Sequence, residues 1–274
     1  MKSYSTIILS ILSLCVYSQA TRGIEPISGD LYRFQNNSHY SVFLVTTEGI
    51  IVTDPISQEA ATWLNNELSV RFDVPVTHLI YSHDHADHIS GGEAFGDQVT
   101  VISHRLTKEA INRENRDVPI PEITFEDKYT LELGGQVVEL YYPGKSHGDN
   151  CIAMLFPAQS TVFVVDFITV NRLPYGDLSG GFMPDWIEAI EFVEGLDFEV
   201  LAPGHGIIGN KADAANHRKY FEALRDAVLK EISQGSTLEE AQQNIQLDEF
   251  KHFGNYEEWL SLNIEGMYKM LREN

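Results

Sequence analysis

Short runs of β-branched and aromatic residues alternate with turn-forming positions through the first half of the chain, at 31–34, 40–46 and 50–53, the last two joined through Thr47-Glu48-Gly49. Such runs predict hairpins in a sheet. Over 57–72 the period changes: Ala60, Ala61, Leu64 and Leu68 recur at helical spacing, and Ser57 stands where a cap is needed. Residues 76–81 then predict a buried strand. After a helix over 106–112, a second set of strands is expected at 130–133, 137–142, 151–156 and 161–165, so the second half repeats the pattern of the first. Residues 183–196 predict a helix with Trp186, Ile190 and Val193 on one face, and 200–202 a short strand running into Pro203-Gly204-His205-Gly206. The remainder reads as helical. Residues 212–233 carry Phe221, Leu224, Val228 and Ile232 in register, and Thr237 with Glu240 makes a capping box. In the tail, over 255–271, Trp259, Leu262, Ile264, Met267 and Tyr268 are assigned to packing.

The start of the chain changes the picture of where this protein works. Lys2, an apolar stretch over 7–16 and the small residues of Ser18-Gln19-Ala20 read as a secretory signal cleaved after Ala20, which predicts a periplasmic or secreted protein. The stretch falls short of the roughly 20 consecutive apolar residues that a membrane span needs, so no membrane association is expected after cleavage. Cys15 could accept a lipid, but Leu14 before it is large where that processing needs a small residue. Removal of the signal leaves Cys151 alone, so no internal disulfide can form and the fold must rest on its core. Residues 21–274 hold no repeat, low-complexity tract or Pro/Ser-rich linker, which predicts one catalytic domain with a helical C-terminal part. The formal charge of -21 repels phosphate backbones and excludes nucleic acid as a partner, leaving a small-molecule substrate. The oligomeric state is left open.

The chemistry is concentrated in Ser82-His83-Asp84-His85-Ala86-Asp87-His88, three histidines and two carboxylates directly behind the apolar run 76–81. In an extended backbone, side chains two apart share a face, so His83 and His85 can point at one ion while Asp87 and His88 turn toward a second position. Three further polar positions follow apolar strands or glycine turns: His147 in Pro143-Gly144-Lys145-Ser146-His147-Gly148-Asp149-Asn150, then Asp166, then His205. Loops from one edge of a layered α/β sheet converge on one crevice, which can assemble such distant residues into a single site.

The ordered set HxHxDH, His, Asp, His resembles the metallo-β-lactamase-fold hydrolases, a superfamily of two-metal enzymes, over most of the mature chain. The resemblance implies an α/β four-layer αββα sandwich with the metals at one edge of its two sheets. It implies that His83, His85 and His147 hold one zinc, that Asp87, His88 and His205 hold the other, and that Asp166 bridges them, giving two Zn2+ per chain, with iron or manganese as alternatives. Such a pair lowers the pKa of a shared water to about 7, and the metal-bound hydroxide attacks a carbonyl, with Asp87 a further candidate for orienting that water or passing on its proton. The loop over 142–150 resembles that of β-lactamases using a cysteine ligand, yet it has one residue fewer between His147 and Asp149, and Asp166 stands in the place of that cysteine. Asp166 with His88 instead matches hydroxyacyl thioester hydrolases, lactonases and quinoprotein-associated hydrolases. The expected activity is therefore hydrolysis of a lactam, lactone or thioester. Two alternatives keep the fold: a mononuclear-iron persulfide dioxygenase, and a non-catalytic periplasmic accessory protein of a quinoprotein system.

For substrate binding the candidates are Arg172, Lys145 and Tyr175. Arg172 can anchor a substrate carboxylate or pair with Asp177, and Lys145 has the same choice between substrate and solvent. Phe34 and Tyr40 flank a turn that either overhangs the site as an apolar flap or packs in the sheet. His39, His78, His104, His217 and His252 fall outside the ordered motif and are read as hydrogen-bonded or surface residues, and Cys151 as inert core.

Overall fold

A computed structural model of the chain describes residues 20–273; the expected signal segment, with Cys15, lies outside the described residues apart from Ala20. Two sheets face one another. The first contains β1 (Arg22–Ser28), β2 (Leu31–Asn36), β3 (His39–Val45), β4 (Ile50–Thr53), β5 (Val76–Ile80), β6 (Thr100–His104) and β7 (Ile123–Phe125) in sequential order. β1 to β4 are antiparallel, and β4 to β7 run parallel, joined by crossover connections rather than tight hairpins. The second sheet contains β8 (Lys128–Leu133), β9 (Gln136–Tyr141), β10 (Ala153–Phe156), β11 (Thr161–Val164), β12 (Val200–Pro203) and the two-residue β13 (Gly209–Asn210). β11 and β12 are its parallel pair.

Helices α1 (Gln58–Arg71), α2 (Ala86–Ile89) and α3 (Arg105–Glu114) belong to the first half of the chain. α4 (Asp185–Gly195), α5 (Lys211–Gln234), α6 (Leu238–Asn244) and α7 (Tyr256–Glu273) belong to the second. The expected caps are present: Ser57 accepts from the Ala60 N–H at the start of α1, and Thr237 and Glu240 close a capping box on α6.

The layering follows from strand alternation. In β11, Phe163 faces the opposing sheet with Val42, Ile51 and Ile80, whereas Val162 and Val164 face Trp186, Ile190, Phe221 and Leu224 of the outer helices. In β4, Ile51 faces inward while Ile50 and Val52 pack on Ala60, Ala61, Leu64 and Leu68 of α1. Strands buried on both faces are apolar throughout, which is why they read as continuous runs. The result is the expected mixed α/β sandwich, with helices outside both sheets. The structure adds four strands that the hydrophobic pattern does not mark: β1, β6, β7 and β13. β1, β7 and β13 are short or carry charged and glycine residues, and each forms a sheet edge, where burial is incomplete. β6 lies between β5 and β7 and is mostly buried, but Thr100, Ser103 and His104 leave only Val101 and Ile102 as its apolar run. Leu262, expected in the core, is 38% exposed on α7.

Candidate metal centre

The polar ends of the parallel strands meet at one rim of the sandwich. Asp54 follows β4, the His83 segment follows β5, Asp166 follows β11 and His205 follows β12, the strand ends at which α/β sheets present ligands. His147 comes in on the loop between β9 and β10, and Asn150 of that loop is bound to the His83 segment: its Oδ1 accepts from the Asp84 N–H at 3.0 Å and its Nδ2 donates to Asp84 Oδ1 at 2.9 Å. Asp84 also pairs with Arg116 at 3.1 Å, so of the two carboxylates in the seven-residue cluster only Asp87 belongs to the site.

Two groups of possible metal ligands result, His83, His85, His147 and Asp166 in one, and His39, Asp87, His88 and His205 in the other. Asp166 lies between them: Oδ2 is 3.4 Å from His83 Nε2 and 3.4 Å from His88 Nε2, and Oδ1 is 3.2 Å from His205 Nε2. His85 Nδ1 and His147 Nε2 are 3.2 Å apart. Bonds of about 2.0–2.1 Å to a tetrahedral ion put two ligand nitrogens roughly 3.4 Å apart, so this separation suits a shared cation.

The protonation of the imidazoles points the same way. Ser82 Oγ donates to Asp54 Oδ2 at 2.6 Å, so it accepts from His83 Nδ1 at 2.9 Å, and the lone pair of His83 is left on Nε2. His205 Nδ1 donates to the Ser38 carbonyl at 2.9 Å, which leaves its Nε2 facing Asp166. His88 Nδ1 faces Asp54 Oδ2 at 3.4 Å. His83 Nε2 and both ring nitrogens of His88 are buried and have no hydrogen-bond partner among the described residues. Buried ring nitrogens are seldom left so, and a metal-ligating histidine commonly donates its other nitrogen to a carboxylate or carbonyl. The donor set therefore fits divalent cations.

Electrostatics reinforce the arrangement. Burial opposes charge on Asp166, but the histidines around it, His88 first, hold its carboxyl well below the usual range. Burial likewise opposes the His88 imidazolium, yet Asp166 and Asp54 raise it well above the usual value. Burial brings His147 down to about 4, so it is neutral and ready to ligate at physiological pH. Asp87 is kept ionised chiefly by the hydrogen bond from His39 Nε2 at 3.0 Å. Asp166 takes a positive φ of 66°, a conformation that Asp tolerates better than most residues and that tends to occur at functional sites.

A cavity of about 660 Å3 opens over both groups. Arg172 and Tyr175 line it; Lys145 does not, lying exposed with its ammonium over the Phe182 ring at 4.7 Å. Lys145 shares its loop with His147, but its side chain is exposed and does not reach the cavity lining. Phe34 is no flap: it is fully buried and stacked on Trp63. The turn beside it instead supplies Ser38 and His39 to the cavity. Three residues of the site escape sequence reading. Asp54 ends an ordinary apolar strand, His39 belongs to no motif, and Trp259, assigned to packing, lines the cavity. A carboxylate directly after a buried parallel strand was the one available signal, and Asp54 shows it.

Residues 38–205 match the model of the metallo-beta-lactamase superfamily. A 2,4-dinitroanisole O-demethylase subunit alpha of Nocardioides sp. (strain JS1661) is 29% identical over 66% of this chain, a match that spans 56% of that subunit. A type 2 metallo-beta-lactamase of Elizabethkingia meningoseptica is 25% identical over 71% of this chain and 82% of its own length. Among solved structures, a metallo-beta-lactamase from Pontibacter korlensis superimposes with a TM-score of 0.66 at 21% identity, covering 73% of this chain and 98% of that one, which supports the fold. The chain belongs to the metallo-beta-lactamase superfamily of hydrolases and carries candidate metal-binding residues where its two sheets meet.

Proposed function

We propose that this protein is an exported dinuclear zinc hydrolase that cleaves the acyl C–N, C–O or C–S bond of a lactam, lactone or thioester in a small substrate. The observation that carries the reading is the pair of four-donor groups meeting at Asp166, with buried imidazole nitrogens that make no hydrogen bond among the described residues. His83, His85 and His147 would hold one cation, Asp87, His88 and His205 the other, with Asp166 shared. Two cations so held supply a water activated at neutral pH and a Lewis acid for the carbonyl. The rest falls to the chain. Ser82 fixes the tautomer of His83 and the Ser38 carbonyl that of His205, while the Asp54 carboxylate faces His88 Nδ1 at 3.4 Å. Asp87, kept anionic by His39 and 57% exposed at its side chain, faces the cavity where it can take a proton and return it to a departing nitrogen, oxygen or sulfur.

The relatives do not choose the substrate, since one is named for an O-demethylase and another for β-lactams. Turnover of matched lactam, lactone and thioester substrates by residues 21–274, with zinc measured on the same sample, tests the reading. Two zinc ions per chain are expected, and His85→Ala and Asp166→Ala should each lose bound zinc and at least about a hundredfold in turnover. One iron per chain with oxygen uptake on a persulfide would replace this reading by the dioxygenase, and full turnover after metal removal would end both.

A further inference from the structure

The cavity that the histidines line is also lined by one residue beyond 205, the end of the region that the superfamily model matches. That residue is Trp259 of α7, and Arg172 and Tyr175 from the loop that leaves Asp166 line the cavity with it. The Arg172 guanidinium lies 5.1 Å from the centre of the Trp259 ring, and Tyr175 meets the same indole edge-on at 5.2 Å. The backbone at Arg172 is fixed rather than free. Leu173 N–H donates to the Gly254 carbonyl at 3.0 Å, Gly254 N–H donates to Asn171 O at 2.8 Å, and Thr169 Oγ1 donates to Arg172 O at 2.8 Å.

Arg172 stands apart in its lack of partners. Among the described residues every other arginine makes a side-chain hydrogen bond or ion pair, to an acid, an asparagine oxygen, a backbone carbonyl or a tyrosine hydroxyl. Arg172 makes neither, and its Nε is buried with no acceptor. The chain has 40 acidic residues against 19 basic ones, so the absence is not for want of acids. Asp177, the expected partner, accepts instead from Ser179 Oγ at 2.5 Å and from the Ser179 N–H at 3.3 Å. A guanidinium drawn out of water without an acceptor is costly. A ligand that brings the acceptor removes the cost.

We propose that Arg172, shelved on Trp259, is the receptor for a carboxylate on the substrate, so that the compound hydrolysed carries a carboxylate beside an apolar or aromatic group. The proposal rests on the hydrolase reading for its substrate and on Arg172 for its specificity. The indole covers one face of the guanidinium and leaves the in-plane N–H fork for a planar, two-oxygen acceptor. The indole itself and Tyr175, 74% exposed, offer the adjoining apolar surface. A phosphate would bring a second negative charge into a cavity that Asp87, Asp166 and Asp177 already line.

Calorimetric titration of the zinc-loaded protein with phenylacetate, phenylacetamide and phenyl phosphate tests this, with zinc content measured on each sample. Phenylacetate is expected to bind at least about tenfold more tightly than the amide, and in Arg172→Gln this preference should shrink by about 10- to 100-fold. An undiminished preference in Arg172→Gln would assign the carboxylate to the metal and overturn the proposal, as would tighter binding of phenyl phosphate than of phenylacetate. Should Arg172→Gln not fold, Trp259→Leu decides: a preference reduced several-fold supports the shelf, and an unchanged one overturns it. Binding is read without turnover, so the two readings can fail separately. An Arg172-dependent preference in a protein that hydrolyses nothing would end the hydrolase alone, and turnover without that preference would end this proposal alone.

Discussion

At the scale of single residues, the groups that matter most to the site hold the ligands rather than being ligands. Asp54 is fully buried, accepts from Ser82 N–H at 2.8 Å and Ser82 Oγ at 2.6 Å, and faces His88 Nδ1 at 3.4 Å. Asp54→Asn keeps the volume but removes the charge and turns a donor toward one of these donors. Metal affinity should fall by about 10- to 100-fold, measured by competition with a chelating dye, with stoichiometry moving toward one ion. Unchanged affinity at both positions would show that His88 needs no such partner. His217 makes a different point. It is 1% exposed, its Nδ1 is 3.1 Å from Thr169 Oγ1, and burial, helped by Arg172, brings it down to about 3. Between an unfolded pKa of about 6.5 and that folded value, the unfolded chain binds a proton that the folded one refuses, so stability falls as pH falls through this window. The slope from His217 approaches about 1.4 kcal/mol per pH unit, and urea unfolding of His217→Gln should lack that part of the acid dependence. Identical slopes would remove His217 from the acid response.

At the scale of elements, the seam between α7 and the loop after Asp166 decides how the cavity is shaped. Asn263 is fully buried and donates to the carbonyls of Pro174 at 3.1 Å and Gly176 at 2.7 Å while accepting from Tyr220 OH at 2.7 Å. Gly266, one turn on, faces Asp177 so closely that a Cβ would overlap the Asp177 backbone carbonyl. Helix propensity alone favours Gly266→Ala by about 1 kcal/mol. The obstruction is backbone and cannot swing aside, so the overlap should win, with a net loss of about 1–3 kcal/mol in urea unfolding; a stabilised variant would mean that the seam is loose. This seam also shows where sequence reading stops. The helix periods of α1, α5 and α7 and the runs of β4, β5 and β11 were legible because each is buried on faces that repeat at 3.6 or 2 residues. His83, His85, Asp87, His88, His147, Asp166 and His205 stood out by residue type after strands. His39, Asp54 and Trp259 did not, because nothing local distinguishes a residue that reaches the cavity from one that fills the core. Trp259 has the same spacing as its packed neighbours, and only the position of α7 against the loop brings it to Arg172.

At the scale of the whole molecule, the fold is asked to hold eight imidazoles and carboxylates together at a rim in a chain of formal charge -21. Without cations, three buried imidazole nitrogens of His83 and His88 lack hydrogen-bond partners among the described residues, and Asp166 faces several ring nitrogens for which it can supply only part of the compensation. The surrounding framework is held by apolar clusters between the sheets and beneath both helical layers. Divalent cations would offset part of the net charge and give the orphaned nitrogens their ligand, while the unfolded chain offers no preformed site. Zinc at about a thousand times its dissociation constant then stabilises the folded chain by about 4 kcal/mol. In a protein of this size that corresponds to a rise in Tm on the order of 10 °C over the chelated form. Scanning calorimetry of chelated and zinc-restored samples reads the shift directly. Asp166→Asn serves as the control, since it removes the charge that both groups share and should flatten the response. If the chelated and restored forms of the unaltered chain melt together, the histidine clusters are satisfied by the protein alone and the metal centre loses its thermodynamic support.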